Sequence, residues 1–279
     1  MANNPVIKTL LYESIFNSSF GKEELWKFLI SEKQISRVEF EDFLKDPKIK
    51  LNKNGKYYLG NKKTQERKTN GTKLQKAINA AQILSVIPSV NFIGISGSLA
   101  LNTASENDDI DFFVITKSNT IWTTRLFCVI LMKALGLYRQ DRNFKNKICL
   151  NMFISRLDFK KDRQDLYNAF EISQIYPLVD KKNTYKEFIS ANSWIDKYLP
   201  NARGQNNMQR IKNIKNNFAL KTLFRLILFL GFEQFAKFAQ LLLMKKRTLE
   251  TVSSELLAFH PIDFREQILT KYEILLKDY

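Results

Sequence analysis

The order of hydrophobic and polar positions at the start of the chain predicts three short helices followed by a hairpin. Apolar residues recur at helical spacing in three segments, 6–16, 22–30 and 36–44. Ser36, with Glu39 three residues later, is the pattern of a capping box at the start of the third helix. Two alternating runs then flank Asn54-Gly55, a dipeptide typical of tight hairpin turns. These elements predict an N-terminal module over residues 1–62.

The middle of the chain alternates between helix-like and strand-like patterns. Short apolar runs rich in β-branched and aromatic residues predict three strands, at 90–95, 110–115 and 147–154. A helical pattern over 73–86 precedes the first strand and ends before Pro88. An apolar helix over 119–137, closed by Gly136, is expected to lie against the sheet. The pattern therefore predicts an α+β core with a mixed sheet and flanking helices over residues 73–160.

The C-terminal part, residues 161–279, has a mainly helical pattern. Helical periodicity over 165–175 is interrupted at Pro177 and resumes over 184–198. A long amphipathic segment covers 218–244, and its longest uncharged run is seven residues, against the ~20 that a membrane span needs. No transmembrane segment is predicted. We expect this segment to pack on the core or on a second copy of the chain, and a helix lying on a membrane surface is the alternative.

The charge balance is strongly basic. The 279 residues include 44 lysine or arginine residues and 28 acidic residues, a net charge of +16. Residues 45–76 hold eleven of the basic residues and two of the acidic ones, so a net charge of +9 falls in one short stretch. This stretch is the best candidate for contact with a polyanion, and a solvated linker is the alternative. A second basic loop, 139–147, could face a triphosphate or be simply solvated.

The cysteines and the N-terminus point to the cytoplasm. Cys128 and Cys149 each lie in an apolar run, so both are interpreted as small buried hydrophobic residues rather than as a disulfide or a metal pair. The N-terminus has no apolar signal segment for export. We therefore expect a cytoplasmic protein. His260 is the only histidine, and its place before a proline favours a structural role.

The residues most suited to chemistry lie between Gly97 and Asp111. Gly97 and Ser98 follow the first predicted strand of the core, and Asp109 and Asp111 stand at the start of the second. Because side chains alternate along a strand, residues 109 and 111 share one face. Two adjacent carboxylates suit Mg²⁺. A glycine lets backbone N–H groups approach a phosphate closely, and the serine hydroxyl is a further donor.

Gly97-Ser98 followed by Asp109-Ile-Asp111 resembles the signature of the DNA polymerase beta-like nucleotidyltransferase superfamily in its minimal form, with 11 positions from Ser98 to Asp109. The resemblance implies that Asp109 and Asp111 hold Mg²⁺ and that Gly97 and Ser98 hold the triphosphate of a nucleoside triphosphate. It further implies transfer of a nucleoside monophosphate to an acceptor, with release of pyrophosphate. The acceptor, whether RNA, protein or small molecule, stays open.

That superfamily usually supplies a third carboxylate from a later strand, and Asn151 stands at this position. An asparagine can offer a carbonyl oxygen to a metal but cannot take a proton at neutral pH. Three alternatives follow. The acceptor needs no protein base, another group such as Asp141 or Asp158 serves, or the chain is a catalytically silent nucleotide- or RNA-binding protein of the same fold.

Residues 1–260 also look similar to a family of bacterial proteins named only for a nucleotidyltransferase domain. Further motifs carry this resemblance: Ala191-Asn-Ser-Trp-Ile195, Tyr198-Leu-Pro-Asn-Ala202 and Phe259-His-Pro261. Members of that family also tend to have asparagine at the position of Asn151. The missing carboxylate would then be a feature of the family.

The three predicted N-terminal helices and the hairpin resemble a winged helix. The third helix, which would face DNA in such a fold, is acidic because it carries Glu39, Glu41 and Asp42. An acidic face is unfavourable for contact with a phosphate backbone, whereas the hairpin is basic. The acidic third helix and the basic hairpin therefore favour a packing or RNA-contacting module over a reader of duplex DNA.

Overall fold

A computed structural model describes residues 4–60, 71–101, 104–140, 143–202, 222, 225–226, 232–243, 251–253, 255–258 and 264–279. Within these residues the fold is α+β, with a mixed sheet flanked by helices, as the pattern predicts. Its elements in chain order are α1 (Pro5–Ser14), β1 (Phe20–Gly21), α2 (Lys22–Lys27), α3 (Arg37–Leu44), β2 (Ile49–Leu51), β3 (Lys56–Leu59), α4 (Gly71–Leu84), β4 (Val90–Ile95), α5 (Gly97–Ala100), β5 (Ile110–Thr116), α6 (Ile121–Ala134), β6 (Ile148–Ile154), α7 (Leu166–Ser173), β7 (Tyr176–Asp180), α8 (Thr184–Ala191), α9 (Phe232–Leu243), β8 (Thr251–Val252), β9 (Leu256–Ala258) and α10 (Phe264–Asp278).

The N-terminal helices pack on a three-stranded sheet of order β1-β3-β2. The predicted hairpin is the pair β2–β3, with Ile49 opposite Leu59, and Gly55 in its turn has a φ of +70°. The predicted capping box is present at α3. Ser36 Oγ accepts from the Glu39 N–H at 3.2 Å, and Glu39 Oε2 accepts from the Ser36 N–H at 2.9 Å. Local sequence therefore accounts for these elements.

The larger sheet has six strands in the order β7-β4-β5-β6-β9-β8. β5 and β6 are parallel, and the other neighbours are antiparallel. The interruption predicted at Pro177 is in fact a strand, since Pro177 lies in β7 and is the partner of Gly94. β7 is an edge strand, where a residue without an N–H is tolerated. Ile95, Ile110 and Ile148, from β4, β5 and β6, lie together at one end of the sheet.

β5 is buried on both faces, which explains its nearly continuous apolar sequence. Phe112 and Val114 belong to the core that lies between the sheet and the helices α4 and α6. Phe113 and Ile115 belong to the core on the other face, which also contains side chains of α1, α7 and α8. The two aspartates are thus attached to a strand that packing fixes on both sides.

The predicted helix over 184–198 is divided between α8 and a short 3₁₀ helix, Ser193–Lys197. Asn192 lies at the junction and is 1% exposed. Its side chain accepts from the Phe159 N–H at 3.0 Å and donates to the Leu157 carbonyl at 2.7 Å. A buried amide with these partners fixes the loop that follows β6, which gives this asparagine a structural role.

The N-terminal module shares its core with the C-terminal helices. Tyr12 of α1 stacks on Phe170 of α7, with 4.3 Å between the ring centroids. The side chain of Asn201, 1% exposed, accepts from the Ile35 N–H at 2.9 Å and donates back to the Ile35 carbonyl at 3.0 Å. These contacts join residues that precede β4 in the sequence to residues that follow β6. The division into 1–62, 73–160 and 161–279 stays a prediction.

The predicted helix over 218–244 is described in part. Its C-terminal section is α9, and residues 222, 225 and 226 are also helical. α9 packs against α6. In the part of the chain that the structure describes, no helix has both the length and the apolar character needed to cross a bilayer.

Candidate metal and phosphate site

The turn after β4 brings Gly97 against Asp111. Gly97 has a φ of +62°, in the left-handed region that favours glycine. A β-carbon at this position would lie 2.6 Å from Asp111 Oδ2, closer than real β-carbons come to another atom. The Ser96 N–H donates to the Asp111 carbonyl at 3.0 Å. Backbone conformation and available space therefore both require glycine at position 97.

Asp109, Asp111 and Cys149 form a cluster of potential metal ligands. A carboxylate oxygen from each aspartate and the Cys149 sulfur all lie within 4.8 Å of one another. The two carboxylates are adjacent, as the alternation predicts. Asp111 and Cys149 are partners across the parallel strands β5 and β6. The sequence analysis interpreted Cys149 only as an apolar core residue. It missed the position of Cys149 beside Asp111, because the local sequence does not show the register of β6 on β5.

Arg139 adds a positive charge to this cluster. Its Nη1 lies 2.9 Å from Asp109 Oδ2 and donates to the Cys149 sulfur at 3.3 Å. The contact with Asp109 is an ion pair rather than a hydrogen bond. Asp109 Oδ2 is buried and has no hydrogen-bond partner within the described part of the chain. The charge of Arg139 therefore offsets the negative charge of Asp109 in this cluster.

The pKa values in the cluster show how strongly it resists negative charge. The pKa of Asp111 is raised to about 6, first by burial and then by the charge of Asp109, while a hydrogen bond with Cys149 and the charge of Arg139 act in the opposite direction. Burial and the charge of Asp111 raise the pKa of the Cys149 thiol well above its usual range. A divalent cation among these donors would favour their ionised forms. Two adjacent hard carboxylates fit such a cation.

Ser98, the predicted hydrogen-bond donor to a phosphate group, lies at the same turn and contacts Asp108. Its hydroxyl donates to Asp108 Oδ2 at 3.2 Å. Asp108 also accepts from the N–H and the hydroxyl of Ser105, at 2.8 and 2.7 Å. These bonds fold the connection between α5 and β5 into a compact loop. The sequence analysis missed Asp108, although serines and an acidic residue at this spacing are a recognisable loop pattern.

Lys73 of α4 binds to the loop between α5 and β5. Its ammonium donates to the carbonyls of Ser105 and Asp108, the latter at 2.6 Å, and the residue is only 2% exposed. Lys73 belongs to the basic stretch 45–76, and its burial removes it from any contact with a polyanion. Lys56 of the same stretch pairs with Glu24 at 2.9 Å. Residues 61–70, its centre, lie outside the described residues.

Among the sequence candidates for the role of a third carboxylate, the structure describes the side chain of Asp158 alone. Asn151 lies in β6, and its side chain is outside the described part of the structure, as are Asp141 and His260. Asp158 follows β6, beyond the end opposite Cys149. Its carboxylate accepts from Arg156 Nε and Nη2, at 2.6 and 2.7 Å. Asp158 therefore has a partner of its own, away from the two aspartates.

A carboxylate that the sequence analysis missed, Glu171, lies near the cluster. It belongs to the last turn of α7, and the strand that follows, β7, places Tyr176 opposite Ile95 at the end of β4. The end of α7 is therefore beside the Gly97 turn. Glu171 is partly buried and makes no hydrogen bond or ion pair with any described residue.

The charge of Asp111 acts on Glu171. The pKa of Glu171 is raised to about 7, first by burial and then by the charge of Asp111. One signal in the sequence could have found it: Glu171 is the only charged residue in α7, Leu166–Ser173. A lone acidic residue in an apolar helix needs either a partner or a function.

The described residues thus place a glycine turn, two carboxylates, a thiol and an arginine at one end of the sheet, with Glu171 nearby. No protein-family model, curated protein or solved structure matches this chain. The two carboxylates and the thiol are potential ligands of a metal ion.

Proposed function

We propose that the protein is a Mg²⁺-dependent nucleotidyltransferase. It transfers a nucleoside monophosphate from a nucleoside triphosphate to an acceptor and releases pyrophosphate. The single observation that supports this most strongly is the approach of the Gly97 turn to Asp111, beside Asp109. A turn without a side chain, next to paired carboxylates, leaves room for a phosphate group that shares a cation with them.

Each residue has a role in this proposal. Asp109 and Asp111 bind Mg²⁺, and the backbone N–H groups at Gly97 and Ser98 bind the triphosphate. Mg²⁺, when bound, neutralises charge on the phosphates and on the leaving group. Arg139, which lies 2.9 Å from Asp109 Oδ2, supplies a further positive charge near the phosphates.

Glu171 is the proposed proton acceptor. An acceptor hydroxyl oxygen forms a bond to the α-phosphorus, while the bond from that phosphorus to the bridging oxygen of pyrophosphate breaks. The hydroxyl proton passes to Glu171. A pKa of about 7 leaves a sizeable fraction of Glu171 ionised at neutral pH and able to take this proton. Glu171 thereby replaces the function that Asn151 cannot perform.

We further infer that residues 73–160 form a nucleotidyltransferase core, since α4, β4, the Gly97-Ser98 turn and β5 follow one another in the order of that fold. Residues 1–62 resemble a winged helix through α1–α3 and the β2–β3 hairpin. The acidic side chains of α3 form ion pairs within this module, Lys22–Glu41, Lys33–Glu39 and Lys45–Asp42. We therefore assign the module to packing or RNA contact rather than to duplex DNA.

The second candidate is a catalytically silent nucleotide- or RNA-binding protein. Asn151 at the third-carboxylate position favours it, and so does the net charge of +16. The intact pair Asp109 and Asp111 opposes it, because two adjacent carboxylates repel RNA and nucleotides unless they hold a cation.

Pyrophosphate release tests the proposal. The protein is incubated with Mg²⁺, each nucleoside triphosphate and cell extract, beside the Asp109→Asn/Asp111→Asn variant. Asp158→Asn is the control, because it removes one carboxylate charge at a site away from the cluster. We expect release by the wild-type protein and the control, and none by the double variant. No release by any form, together with salt-sensitive retention on RNA, would favour the binding protein.

A further inference from the structure

The helix α9 places two polar side chains, Glu233 and Gln240, against α6. Glu233 accepts from the N–H groups of Trp122 and Thr123, at 2.8 and 2.9 Å. Both N–H groups belong to the first turn of α6, which has no side-chain cap of its own. A carboxylate there also interacts favourably with the positive end of the helix dipole. Glu233 therefore fixes the start of α9 on the start of α6.

A second polar contact fixes the other end of α9. Gln240 is 4% exposed, accepts from Arg125 Nη1 at 2.6 Å and donates to the Trp122 carbonyl at 2.8 Å. Between these two polar anchors lies Ala236, which is fully buried. Residues 233, 236 and 240 recur at helical spacing, so one face of α9 packs against α6. That face contains a carboxylate, a methyl group and an amide.

The opposite face of α9 is apolar and exposed. Its side chains are exposed by 60% (Phe235), 62% (Phe238), 60% (Leu242) and 79% (Leu243). Phe235 also contacts Phe232, with 5.3 Å between the ring centroids, and Phe232 lies 6.3 Å from Phe127 of α6. A surface helix normally buries its apolar stripe and exposes its polar one. α9 buries Ala236 and packs Phe232 and Leu241 against the core, but it leaves a second apolar stripe exposed, which marks an interaction surface.

The sequence on either side of α9 is strongly basic. Residues 203–250 include ten lysine or arginine residues and two acidic ones, Glu233 and Glu250. Glu233 faces α6, so its charge is directed away from the exposed side. Arg225 and its neighbour Leu226 are both helical and exposed. Large exposed apolar side chains within a basic stretch of sequence are the combination that binds an anionic lipid surface.

We propose that the exposed face of α9 docks onto the surface of a bilayer that contains anionic phospholipids. Phe235, Phe238 and Leu242 insert into the boundary between headgroups and acyl chains. The net positive charge of the chain attracts the anionic headgroups. α9, Phe232–Leu243, has 12 residues and lies along the surface rather than across it.

Charge favours a lipid surface over a second copy of the chain. Each chain has a net charge of +16, so two copies of the chain repel each other. A stable interface also needs roughly 800 Å² from each partner, more than the four exposed side chains of one short helix present. An anionic bilayer supplies the opposite charge and has no such requirement.

Sedimentation with phospholipid vesicles tests the proposal without reference to any enzymatic activity. Full-length protein is mixed with vesicles of equimolar phosphatidylcholine and phosphatidylglycerol, or of phosphatidylcholine alone. The test variant is Phe235→Ser/Phe238→Ser. The matched control is Val38→Ser, which removes an apolar side chain that is 74% exposed on α3. Circular dichroism and the melting temperature verify that both variants fold.

We expect the wild type and the control to bind anionic vesicles, and the double serine variant to bind at least about tenfold more weakly. Binding to pure phosphatidylcholine should be weak, and added salt should weaken the anionic binding. Equal binding by the serine variant would overturn the proposal, as would no binding by the wild type. Light scattering that shows a dimer lost in the serine variant, without vesicle binding, would assign the face to a second copy.

Discussion

Gly97 lies so close to Asp111 that a β-carbon at position 97 would be 2.6 Å from the Asp111 Oδ2 atom. The turn that is proposed to bind phosphate and the carboxylate that is proposed to bind metal are therefore in direct contact. Any side chain at position 97 must displace the carboxylate, the turn or both. The geometry of the two halves of the site is thus set by a single residue without a side chain.

The Gly97→Ala variant should lose activity and stability together. The alanine is strained at a φ of +62° and pushes against the Asp111 carboxylate. We expect a loss of roughly hundredfold in kcat/KM, since small displacements at a reacting site have effects of this size. Gly55→Ala is the matched control, because Gly55 has a φ of +70° and nothing near its β-carbon position. The control should cost ~1–2 kcal/mol of stability and no activity. Equal activity in both variants would contradict the role of Gly97.

The Glu171→Gln variant should be more stable than the wild type at alkaline pH. Because the pKa of Glu171 is raised to about 7 in the folded protein, ionisation destabilises the fold as pH rises from the unfolded pKa near 4.5 towards 7. At pH 8 the neutral amide should stabilise by roughly 1–3 kcal/mol, and at pH 4 the difference should vanish. Urea unfolding at both pH values measures this. Glu273→Gln, at an exposed position of α10, is the matched control for the loss of one carboxylate.

The same Glu171→Gln variant should lose catalytic activity although it gains stability. A general base typically contributes 10²–10⁴-fold, so a loss in roughly this range is expected. In the wild type, kcat/KM should rise with pH through a value near 7, the pKa of Glu171. Full activity of the glutamine variant with an unchanged pH profile would remove Glu171 from the mechanism and leave the metal site untouched.

The thiol of Cys149 should coordinate a softer metal that replaces Mg²⁺. The Cys149 sulfur lies within 4.8 Å of carboxylate oxygens of Asp109 and Asp111, and thiolates favour Co²⁺ and Zn²⁺ over Mg²⁺. We expect Co²⁺ to release a proton and produce a near-ultraviolet sulfur-to-metal charge-transfer band. Cys149→Ser should lack the band, and Cys128→Ser, buried elsewhere, should retain it. A band that survives in Cys149→Ser would place the cobalt at another site.

Asn201 should be essential for the attachment of the N-terminal module. Its buried amide accepts from the Ile35 N–H at 2.9 Å and donates to the carbonyls of Ile35 and Trp26. Asn201→Ala leaves these groups unsatisfied, so we expect a loss of roughly 2–4 kcal/mol in denaturant unfolding. Gln34→Ala, exposed in the same loop, should change stability little. A loss below ~1 kcal/mol for Asn201→Ala would show that the module is held by the apolar core alone.

Much of the local structure was predictable because short-range interactions determine it. The capping box of Ser36 and Glu39, the hairpin around Gly55 and the strands that flank the Gly97 turn all follow from residues close in sequence. The adjacency of Asp109 and Asp111 follows from strand geometry in the same way. These are the parts of the fold in which periodicity and turn chemistry agree.

The parts that were missed depend on contacts between distant segments. Glu171 reaches the site because β7 pairs with β4, and the short run that contains Pro177 gave no sign of a strand. Cys149 lies beside Asp111 through the register of two parallel strands. Lys73 has the composition of a surface residue, yet loop carbonyls 32 and 35 residues away surround its ammonium. Neither propensity nor periodicity contains this information.

The most direct test of the central claim is transfer of label from a nucleoside triphosphate labelled at its α-phosphate. Wild-type protein, Asp109→Asn/Asp111→Asn and the control Asp158→Asn are each incubated with labelled triphosphate, Mg²⁺ and cell extract. The account predicts covalent transfer of label to an acceptor by the wild type and the control, abolished by a chelator and absent in the double variant. Transfer that persists in the double variant, or no transfer by a folded wild type with any of the triphosphates, would contradict it.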